Sequence, residues 1–196
     1  RFLAEILGWS GVFVEADGDD FAALERRYCE TPRIQTLKSY VTPENIVGLL
    51  NQTGVESEFD LLSIDVDGQD FHLWHALASS FRPKIVVVEI NSALRHGVRV
   101  VERVGIDGSF PLTETWGASI AAMSGLAEQK GYVPIHVEQA GANLFCVRED
   151  LLRGLPLKLI GVLDRSANFG LRGKNHSRRV LFEGTSAENR EQTFLT

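Results

Sequence analysis

The segment from Phe59 to Asn91 constrains the fold of this chain more than any other part. It holds two apolar runs with β-branched residues, Leu61–Val66 and Ile85–Ile90, and a helical pattern between them. A strand, a helix and a second strand in this order predict two parallel strands, because parallel strands need a crossover connection. The carboxyl ends of such strands meet at one edge of the sheet, which is where open α/β sheets bind their ligands.

Acidic and amide side chains follow both apolar runs. Asp65, Asp67 and Asp70 lie at the end of the first run, and Glu89 and Asn91 mark the end of the second. Crowded carboxylates repel one another, so a fold that gathers them usually holds a ligand or a cation there. Asp70 also has a simpler interpretation, as the N-cap of the helix that we predict to begin at the next residue.

The alternation of strands and helices extends upstream of this segment. Asp19 is suited to cap a helix, and Thr42 followed by Pro43 is a typical helix start. The pattern predicts a strand, a helix, a strand and a helix, in that order: Val12–Glu15, Asp20–Tyr28, Ile34–Leu37 and Ile46–Leu50.

Downstream of Asn91 the regular alternation of strands and helices ends. Residues 92–115 read as a long loop, a type of segment that often forms a lid or a binding element. A helix is predicted from about 118 to 130, ended by Gly131, followed by a hairpin of two strands, Tyr132–Glu138 and Asn143–Val147. We expect an α/β domain over residues 1–150 and a C-terminal extension over residues 151–196 whose structure the pattern does not predict.

The length, the hydrophobic content and the net charge of the chain limit the classes of function that it can have. The chain has 196 residues, 44% of them hydrophobic, and a formal net charge of −6. This total does not favour a general nucleic-acid binder. The apolar runs fall far short of the roughly 20 residues that a membrane span needs, so we expect no membrane partner and a cytoplasmic protein. The sequence does not indicate an oligomeric state.

The first predicted strand ends on Glu15, Ala16 and Asp17. An acidic residue at the carboxyl end of such a strand suits a nucleoside ribose, because a carboxylate accepts hydrogen bonds from both hydroxyl groups.

The Asp65–Asp70 segment is open to three interpretations. As a Ca²⁺ loop it lacks the bidentate glutamate, because position 76 is Ala. As the DxD element of a nucleotide-sugar glycosyltransferase, Asp65 and Asp67 would hold a divalent metal. As the edge of a cofactor pocket, the same two carboxylates would face a positively charged ligand. A divalent metal is possible but not expected, and no residue is assigned as a metal ligand.

Five blocks of sequence together resemble the FkbM-like branch of the S-adenosylmethionine-dependent methyltransferases. They lie in the right order and span about three quarters of the chain: GWSGVFVEAD (Gly8–Asp17), DLLSIDVDGQDFHLWHAL (Asp60–Leu77), PKIVVVEIN (Pro83–Asn91), WGASIAAMSGLAEQKGY (Trp116–Tyr132) and ANLFCVRED (Ala142–Asp150). The second and third blocks carry most of the specificity.

The resemblance implies a Rossmann-like class I methyltransferase sheet, mostly parallel, with an antiparallel C-terminal hairpin strand. S-adenosylmethionine would lie across the carboxyl ends of the first four strands. The residues implied for the cofactor are Glu15, Ala16, Asp17, Ser39, Tyr40 and Asp65. Those implied for catalysis are Asp65, Asp67 and Glu89, and those for the substrate are Asn91 and His96.

One element of the family pattern has no counterpart in this sequence. The glycine-rich first strand and turn, which wrap the methionine end of the cofactor, would lie upstream of Arg1. We therefore expect the chain to be a fragment that lacks this strand and binds the cofactor poorly by itself.

Three functions follow from these observations. The first is methylation of a hydroxyl group on a small molecule or sugar. The second is a metal-dependent nucleotide-sugar glycosyltransferase that uses Asp65 and Asp67. The third is a catalytically inactive methyltransferase-like module that serves as an interaction platform.

Overall fold

A computed structural model describes residues 2–66, 68–94, 97–102 and 116–154 of the chain. The fold is α/β, with parallel strand pairs and a mixed sheet, as the sequence predicts. The chain forms two compact units, Arg1–Val55 and Glu56–Thr196, which are described separately below. The predicted boundary near residue 150 stays a prediction, because residues 155–196 lie outside the described ranges.

The first unit contains a two-stranded parallel sheet. Strands β1 and β2 pair in register from Gly11 with Ile34 to Glu15 with Lys38. Helix α2 connects them, as a parallel pair requires. The elements are α1 (Phe2–Glu5), β1 (Gly11–Glu15), α2 (Gly18–Tyr28), β2 (Ile34–Lys38) and α3 (Ile46–Thr53).

Aromatic packing between β1 and α2 forms the core of the first unit. The rings of Phe13 and Tyr28 stack with their centroids 5.2 Å apart. Ala4 and Ile34 are buried in the same cluster, which Leu24 partly covers. The Tyr28 hydroxyl also donates to the Glu5 carboxylate at 2.9 Å, which ties α1 to α2.

Four strands form the sheet of the second unit, in the order β3-β4-β6-β5. Strands β3 and β4 are parallel, and helix α4 lies between them in the sequence. The elements are β3 (Leu61–Ile64), α4 (Asp70–Ala76), β4 (Ile85–Glu89), α5 (Ile120–Gln129), β5 (Tyr132–Val137) and β6 (Asn143–Arg148), followed by a short 3₁₀ helix, Glu149–Leu152.

The predicted hairpin closes this sheet with an antiparallel strand. Strand β6 pairs antiparallel with β5 and also with β4, so it lies between them. Strand β5 is at the end of the strand order and carries Pro134 beside a register irregularity. Proline cannot donate to a ladder, and an edge position tolerates it. Gly131 precedes β5 with a φ of +78°, consistent with its predicted role at the end of α5.

The core of the second unit combines the central strands with aromatic side chains from the helices. Val86, Val88 and Leu144 are fully buried. Trp74 of α4 contacts the ring of Tyr132 edge-on at 5.7 Å between centroids. Burial raises the pKa of Tyr132 to about 12, and its hydroxyl donates to the Pro83 carbonyl at 2.7 Å.

Two helix N-caps differ from the prediction, which places them at Asp19 and Thr42. Helix α2 begins at Gly18, because the side chain of Asp17, not Asp19, accepts the first free peptide N–H groups. Helix α3 begins at Ile46 with Asn45 at its N-cap, several residues after Thr42. The Asn45 carboxamide oxygen accepts from the N–H of Thr42 at 2.8 Å, which favours a turn where the sequence predicts the first helical residues. None of the helices in the described ranges is long and apolar enough to cross a membrane.

The packing of β6 predicts that two leucines contribute very differently to the free energy of unfolding. Leu144 is fully buried, whereas Leu151 in the 3₁₀ helix is 42% exposed. We expect Leu144→Ala to lower the free energy of unfolding by about 2–5 kcal/mol, through lost burial and the cavity left behind. Leu151→Ala removes the same atoms and should cost less than about 0.5 kcal/mol. Urea denaturation followed by circular dichroism measures both, and equal losses would contradict this description of the core.

Candidate functional site

The carboxyl ends of β1 and β2 bring Glu15, Ala16, Asp17, Ser39 and Tyr40 to one edge of the first unit. Glu15 Oε1 accepts from the N–H groups of Ala16 at 2.7 Å and Asp17 at 2.9 Å. Within the described part of the chain, Oε2 has no hydrogen-bond partner. A carboxylate oxygen has two lone pairs, so a fixed Glu15 can still accept from two hydroxyl groups.

The other predicted residues of this edge have different surroundings. Asp17 accepts from the N–H groups of Asp19 at 2.8 Å and Asp20 at 3.0 Å, and these bonds lower its pKa. Ser39 is tied to β1 by its N–H, which donates to the Glu15 carbonyl at 3.0 Å. Tyr40 is 62% exposed, so its ring is accessible to a flat ligand.

The second unit has its own acidic edge, which we define as Asp65, Asp70, Glu89, Asn91 and Glu102. Asp65 follows β3 and is exposed. Two predicted site residues, Asp67 and His96, lie outside the described residues. Among the side chains that the structure describes, no group of three or more His, Cys, Asp or Glu is arranged to hold a metal ion.

Glu89 and Asn91 lie at the end of β4, as predicted. Glu89 is the last residue of the strand and is 9% exposed. Asn91 is 2% exposed; its side-chain amide donates to the Trp116 carbonyl at 3.0 Å, and its oxygen accepts from the Ala93 N–H at 3.1 Å. The bond to Trp116 attaches this segment to the strand end, together with the Asn91 N–H, which donates to the Ala118 carbonyl at 2.8 Å. Substrate binding by Asn91 stays a prediction, and its described contacts are structural ones.

Asp70 is not the N-cap of α4, contrary to the sequence-based interpretation. Gln69 occupies the cap position, and Asp70 is the first residue of the helix. The Asp70 carboxylate instead points back to the preceding loop, where Oδ1 accepts from the Val66 N–H and Oδ2 from the Gly68 N–H, both at 3.1 Å. Asp70 is 1% exposed, and this burial raises its pKa to about 6 despite the two hydrogen bonds, with a small contribution from the charge of Asp65.

Glu102 is a member of the edge that sequence reasoning missed. It is 3% exposed, and its Oε2 accepts from the Gly117 N–H at 2.8 Å. The same oxygen lies where a side chain at Gly68 would be, 2.7 Å from an ideal Cβ. His72 of α4 donates through Nε2 to the Glu102 carbonyl at 2.8 Å. Glu102 therefore packs directly against the loop that Asp70 holds.

Ser92 is a second residue that sequence reasoning missed. It follows Asn91 and is 4% exposed, and its hydroxyl makes no hydrogen bond within the described residues. A buried hydroxyl without a partner is rare enough in proteins to suggest a bound water or ligand.

The chain matches no model of a known protein family, no curated protein and no solved structure.

Because Gly68 contacts Glu102, we predict that a methyl group added at position 68 destabilises the folded protein. Gly68 has a φ of +111°, a conformation that L side chains rarely adopt, and an added Cβ would displace Glu102 from Gly117. We expect Gly68→Ala to lower the free energy of unfolding by about 2–4 kcal/mol.

Gly131→Ala is the matched control for this prediction. Gly131 also has a positive φ, +78°, but a Cβ there would meet nothing within 4 Å. Its cost should be about 1 kcal/mol, from backbone strain alone. Equal costs for the two variants in thermal or urea denaturation would show that the Glu102 contact does not matter.

The buried carboxyl of Asp70 predicts a pH dependence of stability. Its pKa is about 6 in the folded protein against an ordinary value of 3.8, so the folded state holds the proton more tightly. The stability that this proton provides is complete below about pH 3.8 and is lost as the pH rises to about 6. The difference in unfolding free energy, wild type minus Asp70→Asn, should fall by up to about 3 kcal/mol across this range. Urea titrations at several pH values measure it, and a constant difference would refute the shift.

Proposed function

We propose that this protein is an S-adenosylmethionine-dependent methyltransferase that methylates a hydroxyl group on a small molecule or sugar. The observation that carries the proposal is the Glu15 carboxylate at the carboxyl end of a parallel strand. Its Oε1 is held by the N–H groups of Ala16 and Asp17, and its Oε2 is left to accept. A ribose diol offers two donors to such a carboxylate.

The topology supports the same family at the level of the fold. The resemblance implies a Rossmann-like sheet with an antiparallel C-terminal hairpin strand, and β6 runs antiparallel to both of its neighbours. The strand pairs β1–β2 and β3–β4 are parallel, and acidic residues follow the first strand of each pair.

The residues of the first edge fit the cofactor in their chemistry. Glu15 would accept from the ribose hydroxyl groups, and the exposed ring of Tyr40 would contact the adenine. Asp17 would act indirectly, because its carboxylate caps α2 and fixes the backbone beside Ala16. When bound, the cofactor supplies an electrophilic methyl group on a sulfonium.

The acidic edge of the second unit would act on the acceptor. An alcohol loses a proton when it is methylated, and a carboxylate within hydrogen-bonding reach can take that proton. Asp65 is exposed and therefore accessible to an acceptor, whereas Glu89 is nearly buried. We assign Asp65 as the base among the described residues.

Calorimetric titration with S-adenosylmethionine tests the proposal, and it is done on the full-length gene product because the chain by itself is expected to bind the cofactor poorly. We expect micromolar binding to this full-length wild type. Glu15→Gln loses a charged acceptor, which is worth about 1.5–3 kcal/mol, so affinity should fall about 10- to 100-fold. Glu25→Gln makes the same chemical change at an exposed position of α2 and should leave affinity unchanged.

Two results would reject the assignment. One is a folded full-length wild-type protein that does not bind S-adenosylmethionine. The other is undiminished affinity in Glu15→Gln. Manganese-dependent binding of a nucleotide-diphosphate sugar in the same titration would instead favour the glycosyltransferase alternative, which uses Asp65 and Asp67.

A further inference from the structure

The loop between β3 and α4 is held by one side chain from its own helix. Asp70 Oδ1 accepts from the Val66 N–H, and Oδ2 accepts from the Gly68 N–H. We call this carboxylate and the two peptide groups the Asp70 clamp. Asp65 immediately precedes the first of these peptide groups, so the clamp determines the course of the backbone that carries Asp65.

We propose that Asp70 is a positioning residue, which holds the loop so that the Asp65 carboxylate keeps one place at the acidic edge. The two hydrogen bonds of the clamp are seen in the structure and do not depend on the proposed function. The consequence for methyl transfer rests on the proposed function, in which Asp65 is the base.

The opposite side of the loop is closed by Glu102. Its Oε2 fills the space beside Gly68, and an ideal Cβ on Gly117 would lie 4.0 Å from the Gly68 Cα. The Glu102 N–H donates to the Gly117 carbonyl at 2.7 Å, so Glu102 and Gly117 form one support for the loop. Asp70 therefore holds the peptide groups of a loop that Glu102 also contacts, beside Gly68.

The clamp depends on ionisation because the two carboxylate oxygens accept at the same time. Protonation converts one oxygen into a hydroxyl, which is a poorer acceptor for a peptide N–H. Titratable groups near the clamp include Asp65 on the same loop and Glu102 beside Gly68, and His72 of α4 contacts the Glu102 carbonyl. The negative charge of Asp65 opposes ionisation of Asp70, and burial opposes it more strongly. The clamp should therefore be about half formed near pH 6 and complete only at higher pH.

Nuclear magnetic resonance of the wild-type protein tests the clamp without any ligand. The amide signals of Val66 and Gly68 should move together as the pH changes, with one shared midpoint near pH 6. The side-chain carboxyl carbon of Asp65 should show a second inflection at the same pH, besides its own titration. Amide signals that stay constant, or separate midpoints for Val66 and Gly68, would overturn the proposal.

Asp70→Asn supplies the mutational test. An asparagine has one oxygen, so one of the two peptide groups faces an amide nitrogen and loses its acceptor. Hydrogen exchange at that peptide should become about 10- to 100-fold faster, and the inflection of Asp65 near pH 6 should disappear. Exchange at wild-type rates, or a persisting inflection, would overturn the proposal. If the variant does not fold, the wild-type titration decides.

Asp60→Asn is the matched control. Asp60 precedes β3 at its other end and pairs with Lys84 on the surface at 2.7 Å. The inflection near pH 6 should persist in this variant. A clamp that titrates as expected in a protein that fails to bind S-adenosylmethionine would retain the role of Asp70 and reject the methyltransferase assignment, so the two failures are distinguishable.

Discussion

Strand β6 hydrogen-bonds to β4 on one side and to β5 on the other, and the second unit depends on this double pairing. The strands β3, β4 and β5 run in one direction, and β6 runs against them. Asn143 at the start of β6 pairs with Glu89 at the end of β4. The register of this pair therefore also fixes where Glu89 lies along the strand direction. The Ile90 N–H extends the attachment by donating to the Ala142 carbonyl at 2.7 Å.

Four carboxylates at the two edges accept hydrogen bonds from peptide N–H groups. Glu15, Asp17, Asp70 and Glu102 each accept from at least one such group. At the buried Asp70 these dipoles offset only part of the loss of hydration, because its pKa is still raised. Under the proposed function, carboxylates at such an edge would favour a cationic ligand such as a sulfonium.

The sequence predicts the regular elements better than the contacts between them. Apolar runs such as Ile85–Glu89 identify strands because burial on both faces demands continuous hydrophobicity. The position of a cap is harder to predict, since Asp17 and Asp19 are equally suited to it by residue type. By residue type Asp70 is suited to cap α4, but in the structure its buried carboxylate accepts from the Val66 N–H of the preceding loop. Glu102 lies in a segment without periodicity, and its contact with Gly68 is distant in sequence, so no local pattern could reveal it.

The two cysteines of the chain differ in their environment. This difference allows the opening of the second unit's sheet to be measured by thiol modification. Cys29 is exposed at the end of α2, whereas Cys146 is fully buried in β6, where burial raises its pKa to about 12. A thiol reagent should therefore modify Cys29 in the folded protein and reach Cys146 only when β6 separates from its neighbours. The rate of the second modification would report the opening of the strand that joins β4 to β5, with no mutation needed.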